Sequence, residues 1–181
     1  MAAFPTLRTK RLLLRQFQSS DAPAVHRLAG VKEVAAGTFL PHPYPDGTAE
    51  QWIASQQAEF DAKTLVNFAI VLLTQEILIG SIGLAIVAEH QHARMGYWLG
   101  LPYWNHGYAT EAVQAVLAYG FNQQALHRIY APHFLSNPAS GRVLQKVGMT
   151  YEGRMRDHYR RFGKFVEVEL YGMLEQDFHQ R

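Results

Sequence analysis

Apolar positions recur along this chain in two periods, two residues in some segments and three to four in others, so the pattern predicts a mixed α/β fold. Residues 7–17 set Leu12 and Leu14 against arginines on the opposite face and read as one extended strand, after which Ser19, Ser20 and Asp21 supply a cap for a helix over about 21–30. Pro41, Pro43 and Pro45 forbid regular helix between Gly37 and Gly47, and Thr48 with Gln51 forms a capping box for a helix to about Ala62. Trp52 lies four residues beyond Thr48 and is expected to pack inward. Residues 68–73 and 77–87 are β-branched and apolar around the polar turn Thr74-Gln75-Glu76, which predicts an antiparallel hairpin leading to a third strand over 94–99.

The second half changes period. Ala112, Val113, Val116, Leu117, Gly120 and Phe121 fall at helical spacing and predict a helix packed on the sheet, followed by a strand over 128–134. Ser136 or Asn137 then suits an N-cap, Pro138 a first-turn position, Val143, Leu144 and Val147 an apolar stripe, and Gly148 a helix stop. The tail from Met149 to Phe178 reads as two strands around Gly163. The whole chain, 1–181, is expected to form a single domain.

Composition narrows the function. With 48% hydrophobic and 18% charged residues, 181 residues suffice for a full core. Seventeen Lys and Arg against fifteen Asp and Glu give a net charge of +2 with no basic tract, so a nucleic-acid partner is not expected. No apolar run approaches about 18 residues and no leader-like segment opens the chain, so the expected location is the cytoplasm, away from membranes. The absence of cysteine excludes disulfides, zinc thiolate sites and any acyl intermediate on a protein thiol; no metal is expected.

The candidate chemistry begins at Trp104-Asn105-His106-Gly107-Tyr108-Ala109-Thr110-Glu111. Gly107 and Ala109 leave little bulk where a helix starts, so unpaired backbone N–H groups can cradle a phosphate. The helix dipole adds only about 0.3 to 1 kcal/mol at an exposed end, so the amide donors must supply most of the grip. Asn137 and Ser140, three residues apart at a second helix start, both suit a position facing a cleft; Asn137 serves equally well there as an N-cap.

Three runs in order, Gly96-Tyr97-Trp98-Leu99, Trp104 to Ala112 and Asn137 to Gly148, resemble the GCN5-related N-acetyltransferases, and within them the branch that acetylates N-terminal amines of ribosomal proteins. Thr9-Lys10-Arg11-Leu12-Leu13-Leu14-Arg15 and the closing hairpin also fit. The resemblance implies an α/β fold of about seven strands in a mixed, largely antiparallel sheet with flanking helices, whose neighbouring parallel strands splay to admit acetyl-CoA. It implies that Trp98 and Leu99 offer main-chain groups to the pantetheine arm and that Trp104, Asn105, His106, Gly107, Tyr108, Ala109 and Thr110 hold the pyrophosphate. Trp104 stands where the family commonly carries Gln or Arg, which removes a side-chain charge. The resemblance further assigns Asn137 to the cofactor amide, Ser140 to the departing sulfur and Tyr44, in the proline-rich loop, to the acceptor.

The implied reaction is transfer of acetyl to a primary amine, of a protein N-terminus or a small molecule, by direct attack in a ternary complex. The branch often places a carboxylate just before Gly-Tyr-Trp, where this chain has Arg94 and Met95, which leaves Glu89, His90, His92 and His158 as candidate bases. Arg154, Arg156, Arg160 and Arg161 either attract an acidic acceptor or keep a hairpin solvated. Two rivals remain: a non-catalytic CoA-binding module of the same fold, and a dinucleotide-binding oxidoreductase. The second lacks an acidic residue about 20 positions beyond Gly107, where the chain reads Ile129-Tyr130-Ala131-Pro132-His133. Apolar residues on both faces of the last strand allow a homodimer.

Overall fold

The computed structural model describes residues 3–180. Two short strands, β1 (Leu7–Arg8) and β2 (Leu12–Arg15), open the chain, followed by α1 (Ala22–Ala29), α2 (Lys32–Ala36) and α3 (Thr48–Asp61). Then come β3 (Leu65–Leu72), β4 (Ile77–Val87), β5 (His92–Leu99), α4 (Tyr108–Gln123), β6 (Arg128–Phe134), α5 (Pro138–Lys146), β7 (Thr150–Arg161), β8 (Lys164–Leu174) and α6 (Glu175–His179). The strands form one eight-stranded sheet in the order β1-β2-β3-β4-β5-β6-β8-β7. Every neighbouring pair is antiparallel except β5 and β6.

The expected count of about seven strands becomes eight because residues 7–17 do not run through as one strand. Thr9 folds the segment back: its N–H donates to the Leu12 carbonyl at 2.9 Å and its hydroxyl accepts from the Leu12 N–H at 2.9 Å. The expected capping box at Thr48 and Gln51 is also absent. Gly47 takes a left-handed conformation (φ 75°) and is itself the N-cap, so Thr48 is already the first helical residue.

Two apolar layers sandwich the sheet. On one side α4 buries Ala112, Val113, Val116, Leu117, Gly120 and Phe121, the face its spacing predicted, against Leu12, Leu14, Phe68, Ile82, Leu84 and Met95. On the other side α1, α2 and α3 bury Val25, Leu28, Val34 and Ala49 with Phe17, Ala69 and Trp98. Because side chains alternate across a strand, the second face of β3, β4 and β5 presents Leu65 and Asn67, then Ser81, Gly83 and Ala85, then Arg94, Gly96 and Trp98. No helix among the described residues is long and apolar enough to cross a membrane.

Candidate active site

The parallel pair is short. β5 and β6 are in register only at His92↔Arg128, Ala93↔Ile129 and Arg94↔Tyr130, while β5 stays paired with β4 as far as Leu99. Beyond Arg94 the two strands part. Main-chain direction also alternates along β5, and two bonds fix its phase: the Gly100 N–H donates to the Ile79 carbonyl on the β4 side, and the Gln91 carbonyl accepts from His127 and Arg128 on the β6 side. The odd-numbered residues therefore turn their N–H and C=O groups toward the gap.

This phase corrects one expectation. Trp98 pairs with Ser81, so its main-chain groups are taken by β4, and those facing the gap belong to Tyr97 and Leu99. The Leu99 carbonyl accepts from the Trp104 indole N–H at 2.8 Å, which leaves the Leu99 N–H and both Tyr97 groups. A cleft of about 620 Å³ follows the gap, lined by Tyr97, Trp98, Leu99, Asn105, Gly107 to Thr110, Asn137 and Ser140 among others.

The start of α4, the candidate phosphate cradle, closes the C-terminal end of the gap. Asn105 (φ 62°) and Gly107 (φ 79°) are both left-handed, and Gly107 is the N-cap of α4 without a side chain to offer. The first bond into the helix is from the Glu111 N–H to the Gly107 carbonyl, so the amides of Tyr108, Ala109 and Thr110 face the cleft without a helical acceptor. The Trp104 N–H, by contrast, donates to the Leu101 carbonyl and is not part of that array. Arg11 stands beside the start of α4 but outside the cleft lining, and its contacts tie that start down. Arg11 donates to the His106 carbonyl at 2.9 Å, lies over the Tyr108 ring at 4.6 Å and pairs with Glu111 at 2.7 Å. Glu111 also accepts from the Thr9 hydroxyl (2.6 Å) and the Arg11 N–H (2.8 Å). Burial pushes its carboxyl up, but these donors and the Arg11 charge outweigh that and hold it below the usual carboxylate range.

At the start of α5, Asn137 is the N-cap: its side-chain oxygen accepts from the Ser140 N–H at 3.3 Å, and its amide N–H donates to the Gly37 carbonyl at 3.2 Å. The Ser140 hydroxyl lies 2.8 Å from the Tyr97 hydroxyl. Burial pushes the Tyr97 phenol up to about 12, with the Ser140 bond opposing the rise, so the pair stays protonated at neutral pH.

Tyr44 does not face the cleft. It is 9% exposed, packs edge-on against His26 at 5.6 Å and belongs to the core beneath α1. Phe39 and Leu40 of the same loop line the cleft instead. Phe39 sits between Phe134 (4.9 Å) and Tyr159 (4.7 Å), and Arg161 ties the loop down through the Thr38 and Leu40 carbonyls at 2.9 and 2.8 Å. None of the four clustered arginines lines the cleft, nor do Glu89, His90, His92 or His158. His133 does: its Nδ1 lies 3.0 Å from the Phe134 carbonyl, while its buried Nε2 makes no hydrogen bond, although the Glu169 carboxylate lies 3.3 Å away. No group of metal-ligating residues occurs among the described residues.

Comparison with known proteins gives a consistent answer. The acetyltransferase (GNAT) domain family matches residues 11–150. The chain is 32% identical over 173 residues to a Bacillus subtilis protein named as the uncharacterized N-acetyltransferase YoaA, covering 95% of this chain and 98% of that one. It is similar to a GNAT-family acetyltransferase crystal structure from Bacillus anthracis (TM-score 0.86, 28% identity, 95% and 99% of the two chains covered). The same fold recurs, at 19% identity and a TM-score of 0.83 over 96% and 99% of the chains, in a ribosomal L7/L12 α-N-protein acetyltransferase in complex with coenzyme A.

Proposed function

The chain belongs to the GNAT acetyltransferase family, and from that premise we propose that it transfers an acetyl group from acetyl-CoA to a primary amine by direct attack in a ternary complex. The observation that carries this reading is the alignment of the bare start of α4, the unpaired edge of β5 and the Ser140 hydroxyl along one cleft. The donor set suits the carrier. Amides of Tyr108, Ala109 and Thr110 suit a diphosphate, and the Tyr97 and Leu99 main chain suits a pantetheine arm lying as an added strand.

Within that complex the neutral amine attacks the thioester carbonyl, the nitrogen of the tetrahedral intermediate releases its proton to solvent, the C–S bond breaks, and the thiolate takes a proton from the Ser140 hydroxyl. Tyr97, fixed at 2.8 Å, orients that hydroxyl, and the proton that Ser140 gives up is returned from solvent. Asn137 acts on Ser140 and Gly37 as a positioning residue, which is the capping role rather than a grip on the cofactor amide.

No acidic side chain is among the described residues lining the cleft, which favours one rival, a carrier-binding module without turnover. It equally suits an acceptor that needs little help to lose its proton. An α-amine of pKa near 8 costs about 1.4 kcal/mol to deprotonate at pH 7, against about 4.6 kcal/mol for a lysine near 10.4. The acceptor is therefore assigned to the α-amine class. Calorimetry with CoA joined to a thiol-release assay on peptide amines tests the proposal: binding with turnover supports it, binding without turnover on any amine establishes the module, and no heat with CoA overturns both.

A further inference from the structure

On the face of the sheet opposite α4, beneath Trp52 and the Phe39–Leu40 loop, the cleft floor is built from a matched row of residues. Asn67 on β3 stands beside Gly83 on β4, which stands beside Gly96 on β5. A Cβ at Gly83 would overlap the Asn67 side-chain oxygen, whereas a Cβ at Gly96 would meet nothing within 4 Å. The floor is thus filled by the Asn67 amide on one side and open on the other.

The sense of that amide is fixed by its neighbours. Gln56 donates its amide N–H to the Trp52 carbonyl at 2.9 Å, so its oxygen faces Asn67 and accepts the Asn67 amide N–H at 2.7 Å. The Asn67 oxygen is left lying over Gly83 with no donor among the described residues. It is a neutral acceptor aimed at the open floor.

Two residues back along β5 from Gly96, about 7 Å at strand spacing, stands Arg94, at the vertex where β5 and β6 part. Arg94 is exposed, lines the cleft and has no ion-pair partner among the described residues. The other charged groups on the cleft wall are Arg142 and Lys146, also basic; Glu59, one turn beyond Gln56 on α3, does not line it. A polycation entering here meets like charge without a counter-ion.

Building on the acetyl-transfer reading, we propose that the acceptor is an α-amine with a carboxylate within one or two residues of it. The Asn67 oxygen accepts an amine N–H and the Arg94 guanidinium pairs with the carboxylate, which holds the nitrogen lone pair toward the thioester. An acidic peptide N-terminus and a free acidic amino acid share this chemistry. The floor geometry excludes polyamines as preferred substrates.

The test measures thiol release from acetyl-CoA with Ala-Asp-Ala amide, Ala-Ala-Ala amide, free aspartate and spermidine, with CoA calorimetry alongside. The wild type is expected to use the acidic peptide or aspartate about tenfold or more above the neutral peptide in kcat/KM, and those two arms separate the sources. Arg94→Gln should erase that preference, and Arg94→Glu should reverse it in favour of spermidine while CoA still binds. Equal use of acidic and neutral peptides by the wild type, a wild-type preference for spermidine, or an acidic preference that survives both substitutions overturns this inference alone. Bound CoA without release on any amine overturns the acetyl-transfer reading and this inference together.

Discussion

Two helices begin at the cleft, and they meet the same physical problem in opposite ways. Each leaves backbone N–H groups unsatisfied in its first turn. At α5 the chain supplies its own answer, since the Asn137 side chain accepts from Ser140 and Pro138 removes another donor. At α4 the N-cap is Gly107, which has no side chain, and the amides of Tyr108, Ala109 and Thr110 are left to a ligand. A self-capped helix start suits the proposed role of Ser140 as a positioned hydroxyl, whereas an uncapped one suits the proposed binding of a phosphate. The division predicts that mutations at the two starts separate turnover from affinity.

The sharpest test of that separation is Ser140→Ala. In the proposed mechanism, removing the hydroxyl takes away the proton source for the departing thiolate but no donor from the α4 start. Turnover is expected to fall about a hundredfold, the lower end of what a positioned acid contributes, with CoA affinity unchanged by calorimetry. An unchanged rate would remove Ser140 from its assigned role. The second test acts at α4. Gly107→Val forces a β-branched residue to φ 79° and sets its side chain toward the Arg11 guanidinium, 3.4 Å from the Cβ position. At roughly 1 to 2 kcal/mol for the left-handed conformation, CoA binding should weaken about tenfold, with turnover at saturating cofactor far less affected. Equal losses at both steps from either variant would break the comparison.

The two starts were also unequally legible in the sequence. Asn137-Pro138 and Gly148 are local signals, because capping and helix arrest depend on residues within one turn, and the helix lies where they put it. Gly107 was legible for the same reason. What fixes α4 in space was not: Glu111 meets Thr9 and Arg11 about 100 residues away, so the helix start is clamped to a distant strand turn. Local pattern likewise failed at Tyr44, an aromatic among prolines whose direction is set by packing on α1. The candidate bases failed for a related reason. His92 shares the face of Arg94 and Gly96, but it lies where β5 is still paired with β6, so it falls short of the gap that opens beyond Arg94. Asn67 has no motif of its own; its meaning comes from Gln56 on one side and Gly83 on the other.

The smallest expected effect bears on what holds each start in place. At α5 the clamp is a neutral amide, whereas at α4 it is an ionised carboxylate, so only α4 should respond to acid. Glu111 is held below its ordinary value in the folded protein, which means that its contribution to stability is present in full above the unfolded pKa of about 4.5 and is lost as pH falls through the lower, folded value. Its partner Arg11 is partly exposed, so solvent screening keeps the contribution on the order of 1 kcal/mol or less. Thermal melts of the wild type and Glu111→Gln should differ by about 2 to 4 °C at pH 7, with the wild type the more stable, and the gap should close progressively below about pH 4.5. Glu152, lowered by Arg128, titrates in the same direction but is present in both proteins, so it cancels in the difference. A gap that persists undiminished to pH 3 would mean that the Glu111 clamp acts through shape and hydrogen bonding rather than charge, and the contrast between the two helix starts would then be one of reach alone.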